Sequence, residues 1–258
     1  MRTTSNPAFR NLPRSGYGNY AGFPQGGPAQ YGAAPYQQAG AGGRPMTIDD
    51  VVIRTAVTLG LAIVTGALTV LFQAWVLVLP AFIVGLVLSL IIIFKRTPNP
   101  ALVLTYAGAE GVVLGAITGL FNSIYPGIAF QAILGTFGVF IAMLIVYKTG
   151  VVRVTPRLTR WIIGATAGAL VVMLADLILN LFHTNLGIRT GSPLSIVFSL
   201  LVIGIAAFNL LLDFEQADQM IRNGLPARWA WFAAFGLMVT LVWLYLEILR
   251  LLSYLQRN

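Results

Sequence analysis

From Val51 to the end of the chain, apolar residues run in stretches of about 20, each long enough to cross ~30 Å of hydrocarbon as a helix rising ~1.5 Å per residue. There are seven such stretches, at 51–71, 74–94, 101–121, 128–147, 161–182, 193–212 and 229–252. The pattern predicts an all-α polytopic membrane domain over residues 48–258, a bundle of seven transmembrane helices. Polar breaks punctuate it at Gln73, Lys95 to Pro100, Tyr125-Pro126-Gly127, Lys148 to Arg160 and Gly191-Ser192-Pro193, with Pro and Gly where a helix has to stop. Asp49 and Asp50, just before the first stretch, suit the positive end of its helix dipole.

Residues 1–47 break the pattern. They are rich in Gly, Pro, Gln, Tyr and Ala, carry Arg2, Arg10, Arg14 and Arg44, and contain no acid. So few aliphatic side chains cannot offset the entropy of ordering the backbone, so a disordered tail is expected. No apolar run of about 7–15 residues follows a basic start, so a signal peptide is not expected. The Gly-Tyr and Pro-Tyr steps leave two readings open, a solvated tether and an adhesive interaction tail.

Composition sharpens the class. The chain is 57% hydrophobic and 9% charged, against roughly 25% charged residues in an ordinary soluble domain. Its net charge of +8 is therefore read by side rather than as affinity for nucleic acid. With the N-terminus inside, thirteen Lys and Arg fall on the inner side, and Arg189, Arg250 and Arg257 on the outer. The positive-inside rule then predicts a cytoplasmic N-terminus and an external C-terminus. The absence of cysteine excludes disulfides, thiol catalysis and iron–sulfur clusters. A single histidine, His183, cannot supply a two-histidine zinc motif and is expected as a surface residue of an outer loop.

Small residues predict where helices approach. Gly111, Gly115 and Gly119 recur every four positions in the third stretch, and Gly164 and Gly168 do so in the fifth, a spacing that lets backbones pack closely in lipid. Trp229 and Trp231 fit an interfacial aromatic belt.

Chemistry at membrane depth rests on Glu110, Asp176, Asp213 and Glu247. A charge near a helix centre costs about 2.5–3.5 kcal/mol on the insertion scale, and no Lys or Arg lies mid-span to neutralise one. These acids are expected to carry a proton part of the time, to hydrogen-bond, or to face water or a cation, which describes a proton-sensitive cation site. Structural alternatives stand beside that reading. Glu247 lies three residues before Arg250, at ion-pairing spacing on a helix. Asp213 is followed by Glu215, Asp218 and Arg222, and its alternative is the solvated end of a continuing helix. Glu110, beside a glycine face, points to a helix contact, and Asp176 has Asn180 one turn away.

Phe208-Asn209-Leu210-Leu211-Leu212-Asp213-Phe214-Glu215-Gln216, with Trp243-Leu244-Tyr245-Leu246-Glu247-Ile248-Leu249-Arg250, resembles the closing signature of the Bax inhibitor-1 family, the YccA-type seven-helix membrane proteins. Tyr106 to Gly111, Leu114-Gly115 and Gln131 to Phe137 also look familial, and Thr3-Thr4-Ser5-Asn6-Pro7 resembles an actinobacterial branch. The resemblance covers about residues 48–255. It implies a calcium leak of the cytoplasmic membrane, gated by pH through paired acids in the last two helices, with no enzymatic activity and no cofactor. Calcium and protons would be its small partners, with Asp213 and Glu247 as a transient calcium site. It also allows a second role, that of a non-transporting regulator or partner of a membrane quality-control protease.

The sequence departs from the family pattern in three places. Glu247 stands where the family has aspartate, and the family's second-helix acid has no counterpart between Trp75 and Phe94. The turn at Asn223 to Pro226 is about 12 residues from Asp213 and about 22 from Glu247, which offsets the two acids by ~15 Å on straight helices. Either the segment from Arg228 to Gly236 is not a straight helix start, or Glu247 communicates with Asp176 instead. Three rival classes lack their motifs: an intramembrane aspartyl protease (Gly-x-Gly-Asp), a rhomboid serine protease (Gly-x-Ser-Gly) and a retinal protein (a lysine in the last span).

Overall fold

A computed structural model describes residues 43–182 and 186–257. The tail up to residue 42, and His183, lie outside the described residues. The chain divides after Gln38, and every described residue belongs to the second unit. Seven helices follow one another: α1 (Ile48–Leu71), α2 (Val78–Lys95), α3 (Pro100–Ile124), α4 (Ile128–Thr149), α5 (Pro156–Leu181), α6 (Pro193–Arg222) and α7 (Ala230–Arg257). All seven are long and apolar enough to cross a membrane, and among the described residues there is no strand.

Local chemistry sets the boundaries. Three helices open with a capping side chain followed directly by proline: Asn99-Pro100, Thr155-Pro156 and Ser192-Pro193. The cap satisfies an orphan N–H, and proline at the first helical position lacks one to lose. At α1, Thr47 and Asp50 form a capping box in which each side chain accepts from the other's backbone N–H. α4 stops at Gly150, whose φ of 69° is the left-handed conformation that glycine adopts without penalty. The seven apolar stretches thus become seven helices, with two refinements. The second span is preceded by a 3-10 turn at Trp75–Leu77, and α6 continues ten residues beyond the apolar stretch, to Arg222. At 30 residues α6 is ~45 Å long, more than the ~30 Å hydrocarbon core, which leaves length for its acidic last turns beyond the lipid.

α7 is the axis of the bundle. It packs against α1, α3, α4 and α6, and two-thirds of its apolar window is buried, against a third or less for any other span. Leu210, Leu211 and Phe214 of α6 meet Leu237, Leu241, Leu244 and Leu249 of α7 in the larger core. A smaller one gathers Ile92, Val103 and Tyr106 against Phe235 and Met238, with Tyr106 edge-on to Phe235 at 5.0 Å.

Glycine packing is partly as expected. α1 and α3 meet backbone to backbone: a Cβ at Gly66 would sit 2.9 Å from the Gly111 carbonyl oxygen, and one at Gly115 would run into the Gly66 backbone. Gly119 faces Val70 and Trp75. The expectation for the fifth helix is corrected: a Cβ at Gly164 or Gly168 meets nothing within 4 Å. α5 packs mainly on α6, and that contact runs through Thr166, whose hydroxyl accepts from Asn209 Nδ2 at 2.8 Å.

Candidate functional site

Asp213 sits on α6 where that helix passes α7. Its Oδ1 faces Gly236, at 3.8 Å from where a Cβ would be, and Thr240 is its neighbour one turn on. Its Oδ2 is buried and has no hydrogen-bond partner. A carboxylate oxygen in that state forfeits roughly 1–3 kcal/mol of solvation unless a proton, a water or a cation satisfies it. Glu215 and Asp218, by contrast, are fully engaged at the end of the same helix. The Tyr147 hydroxyl lies 3.1 Å from one and 3.2 Å from the other, and Arg222 bridges to both, at 3.1 and 2.6 Å.

Glu247 is elsewhere. It is 2% exposed, accepts from Ser199 of α6 at 2.9 Å, and is ion-paired with Arg250 at 2.7 Å. Asp213 and Glu247 are therefore not brought together, and neither shares a metal site with the other. Thr240, beside Asp213, precedes Glu247 by about two turns of α7, ~10 Å. The reason is the antiparallel hairpin itself, which sets residues at equal distances from the turn opposite one another: Gly236 faces Asp213, and Glu247 faces Ser199. α7 starts as a helix at Ala230 after a 3-10 turn at Ala227–Trp229, so nothing shortens its arm to bring the acids level. Among the described residues, no three Asp, Glu or His side chains gather as a metal site.

Glu247 instead belongs to a mixed-charge cluster that includes Asp176. Asp176, 3% exposed, accepts from the Leu186 N–H at 3.2 Å. Arg189, in the α5–α6 connection, lies within electrostatic reach of Asp176, Glu247, Arg250 and Tyr254. Burial, and behind it repulsion from Arg250, pulls the Arg189 guanidinium below its ordinary value, although arginine stays charged in proteins. Two acids thus face two guanidiniums at the end of the bundle formed by the start of α6 and the second half of α7. The sequence held a signal for Ser199: it stands four residues after Ser195 on the face of α6 turned to α7, and both serines are buried.

Glu110 lies away from both groups, on α3 beside Tyr106 and against α2, where its Oε2 is 3.6 Å from a Cβ position at Gly85. At the other end of the bundle, a network centred on Asp50 went unread in the sequence beyond the helix dipole. Arg44 holds both Asp50 oxygens, at 2.6 and 2.8 Å, and Arg54 pairs with Asp50 at 3.6 Å. Arg54 also donates to the Ala227 carbonyl and stacks over Trp231 at 5.5 Å. The segment before α1 is bound to the α6–α7 turn as well. Met46 N–H donates to Leu225 O, and Ala227 N–H donates to Arg44 O, each at 2.8 Å, while Met46 is buried.

Seven long apolar helices, with α7 packed against α1, α3, α4 and α6 and buried acids at several of the helix contacts, define a seven-helix membrane protein. The family described as "Bax inhibitor 1 like" matches residues 6–257, nearly the whole chain, and the protein belongs to that family. No curated protein matches it.

Proposed function

We propose that the protein is a pH-sensitive calcium leak of the cytoplasmic membrane, with Asp213 as the titrating acid. The observation that carries this reading is the buried, unpartnered Oδ2 of Asp213; the other acids of the last two helices are all hydrogen-bonded or ion-paired. Ionised, this oxygen offers a hard ligand of the kind calcium takes; protonated, it offers none, so the passage of a cation past α7 changes with proton concentration. Glu247, Asp176 and Glu110 take supporting places: the first two hold the far end of α7 through Arg250 and Arg189, and the third faces α2. The reading assigns the protein no enzymatic step and no cofactor.

Purified protein in liposomes, assayed for calcium flux across a pH series, tests it. Asp213→Asn keeps the shape of the protonated acid and cannot ionise, so it is expected to flatten the pH response without unfolding the protein. A normal pH-dependent flux in that variant overturns the mechanism. A second reading, a non-transporting partner of a membrane quality-control protease, draws on one observation: Glu247 is held in a structural ion pair. Absence of calcium flux at every pH in the unmodified protein favours it. We also propose a cytoplasmic N-terminus and an external C-terminus, from the distribution of Lys and Arg; a reporter fused after Asn258 that reads inside overturns that orientation.

A further inference from the structure

Away from Asp213 and the mixed-charge cluster, the bundle carries a lateral groove of about 280 Å³ between α1 and α4, floored by α3 and α7. Ile63 and Val70 form one wall, Ile133 and Phe137 the other, and Leu114 and Leu241 the floor. The four wall residues are exposed, so the groove opens outward between spans rather than into the bundle. We propose that this groove is a binding site for one acyl chain of a bilayer phospholipid.

Three features of the groove select that occupant. The lining is apolar, and an apolar cavity of this order stays free of water and takes hydrocarbon guests; at ~30 Å³ per water, its volume would otherwise represent about nine waters with almost no polar partner. Its polar side chains are satisfied internally: Thr118 and Tyr245 by a 2.8 Å hydrogen bond to each other, and Thr136 by donating to the Ala132 carbonyl at 2.8 Å. Length is the third feature. Along α1 the lining runs from Leu59 to Val70, from the middle of the helix to one residue short of its end at Leu71. That is ~16 Å at 1.5 Å per residue, the depth of one leaflet of a ~30 Å core. The α4 wall begins five residues after that helix starts at Ile128, on the same side of the bundle as the end of α1. A chain entering from the α1–α2 turn would therefore lie along the groove with its headgroup at the surface. In place, it covers the close α1–α3 contact at Gly66 and Gly115 and braces α7 through Leu241.

The test is photolabelling. The full protein is reconstituted in phosphatidylcholine liposomes containing a phosphatidylcholine with a diazirine in mid-chain, irradiated and mapped by mass spectrometry. Adducts are expected on the floor residues Leu114 and Leu241, the latter 6% exposed, as well as on the lipid-facing surface of α2 at Leu79, Phe82 and Leu86. Ala67→Trp, which places an indole at the groove mouth, is expected to cut the floor adducts at least fivefold and to leave those on α2 unchanged. Adducts confined to α2 and the groove walls, or floor adducts that persist at full yield in Ala67→Trp, overturn the proposal. So does coverage by a second copy: the chain has no cysteine, so an intermolecular disulfide forming readily in liposomes from Ile133→Cys would show the groove mouth occupied by protein.

Discussion

Removing Glu247 and removing Arg250 break the same 2.7 Å ion pair, but the structure predicts unequal costs. Arg250→Met leaves Glu247 with its Ser199 hydrogen bond and with Arg189 still nearby as a counter-charge. Glu247→Gln leaves two guanidiniums, Arg189 and Arg250, facing each other with Asp176 as the remaining acid. Exposed helical pairs at this spacing contribute about 0.2–0.5 kcal/mol, and breaking a fully buried pair costs about 3–5 kcal/mol. Glu247 is 2% exposed and Arg250 27%, which places the pair between those limits, near the ~1.5–3 kcal/mol of a hydrogen bond to a charged group. We expect Arg250→Met to cost about 1–1.5 kcal/mol and Glu247→Gln about 2–3 kcal/mol.

The assay is reversible unfolding in mixed micelles, read as a double-mutant cycle on Glu247→Gln, Arg250→Met and the pair. The double variant is expected to be more stable than Glu247→Gln alone, because removing Arg250 relieves its repulsion with Arg189. Costs that simply add would show that the two side chains do not couple, and a larger cost for Arg250→Met would refute the role given to Arg189.

Two further predictions concern packing and the start of the domain. Gly115→Ala places a methyl against the Gly66 backbone and is expected to destabilise by about 1–3 kcal/mol as overpacking, whereas Gly164→Ala, with open space at its Cβ inside α5, should be neutral or stabilising by up to about 1 kcal/mol; equal effects in the same unfolding assay would show that the backbone contact does not set the cost. Deleting residues 2–42 should leave the thermal midpoint in detergent unchanged, while deleting 2–47 should lower it, since Met46 is buried and Arg44 holds Asp50; indistinguishable midpoints would show that the Met46 segment contributes no stability.

The helices were legible because a span must be long and apolar wherever it packs, and that requirement is written in the sequence directly. Their partners were not. Gly111 and Gly115 announced a close contact, but the same spacing at Gly164 and Gly168 faces open space, because small residues permit an approach without naming which helix makes it. The candidate acids were identified from cost alone, and cost does not say how it is met. Ser199 and Arg189 are distant from Glu247 in sequence, and Arg44 lies in a stretch that composition assigned to the tail, so the groups that neutralise Glu247 and Asp50 became visible once α6, α7 and the segment before α1 had positions.

The level of each acid along the α6–α7 hairpin decides what it can do. With the turn near Leu225, Asp213 sits opposite Gly236, with Thr240 its neighbour one turn on, and its Oδ2 is left without a partner. Glu247 sits about three turns further along α7, opposite a serine and one turn before an arginine. A carboxylate facing a glycine has room beside it for a proton or an ion; one facing a serine and an arginine is committed to both. On the proposed reading the acid of α7 belongs to the scaffold and the acid of α6 is the one whose ionisation changes. Moving the arginine tests that division: Arg250→Met with Gly236→Ser would give the free partner to Asp213 and take the fixed one from Glu247. The pH dependence of flux is expected to shift toward Glu247, detectable as sensitivity to Glu247→Gln that the unmodified background lacks. Retention of the full response by Asp213 in that background would show that position on the hairpin does not set the role of either acid.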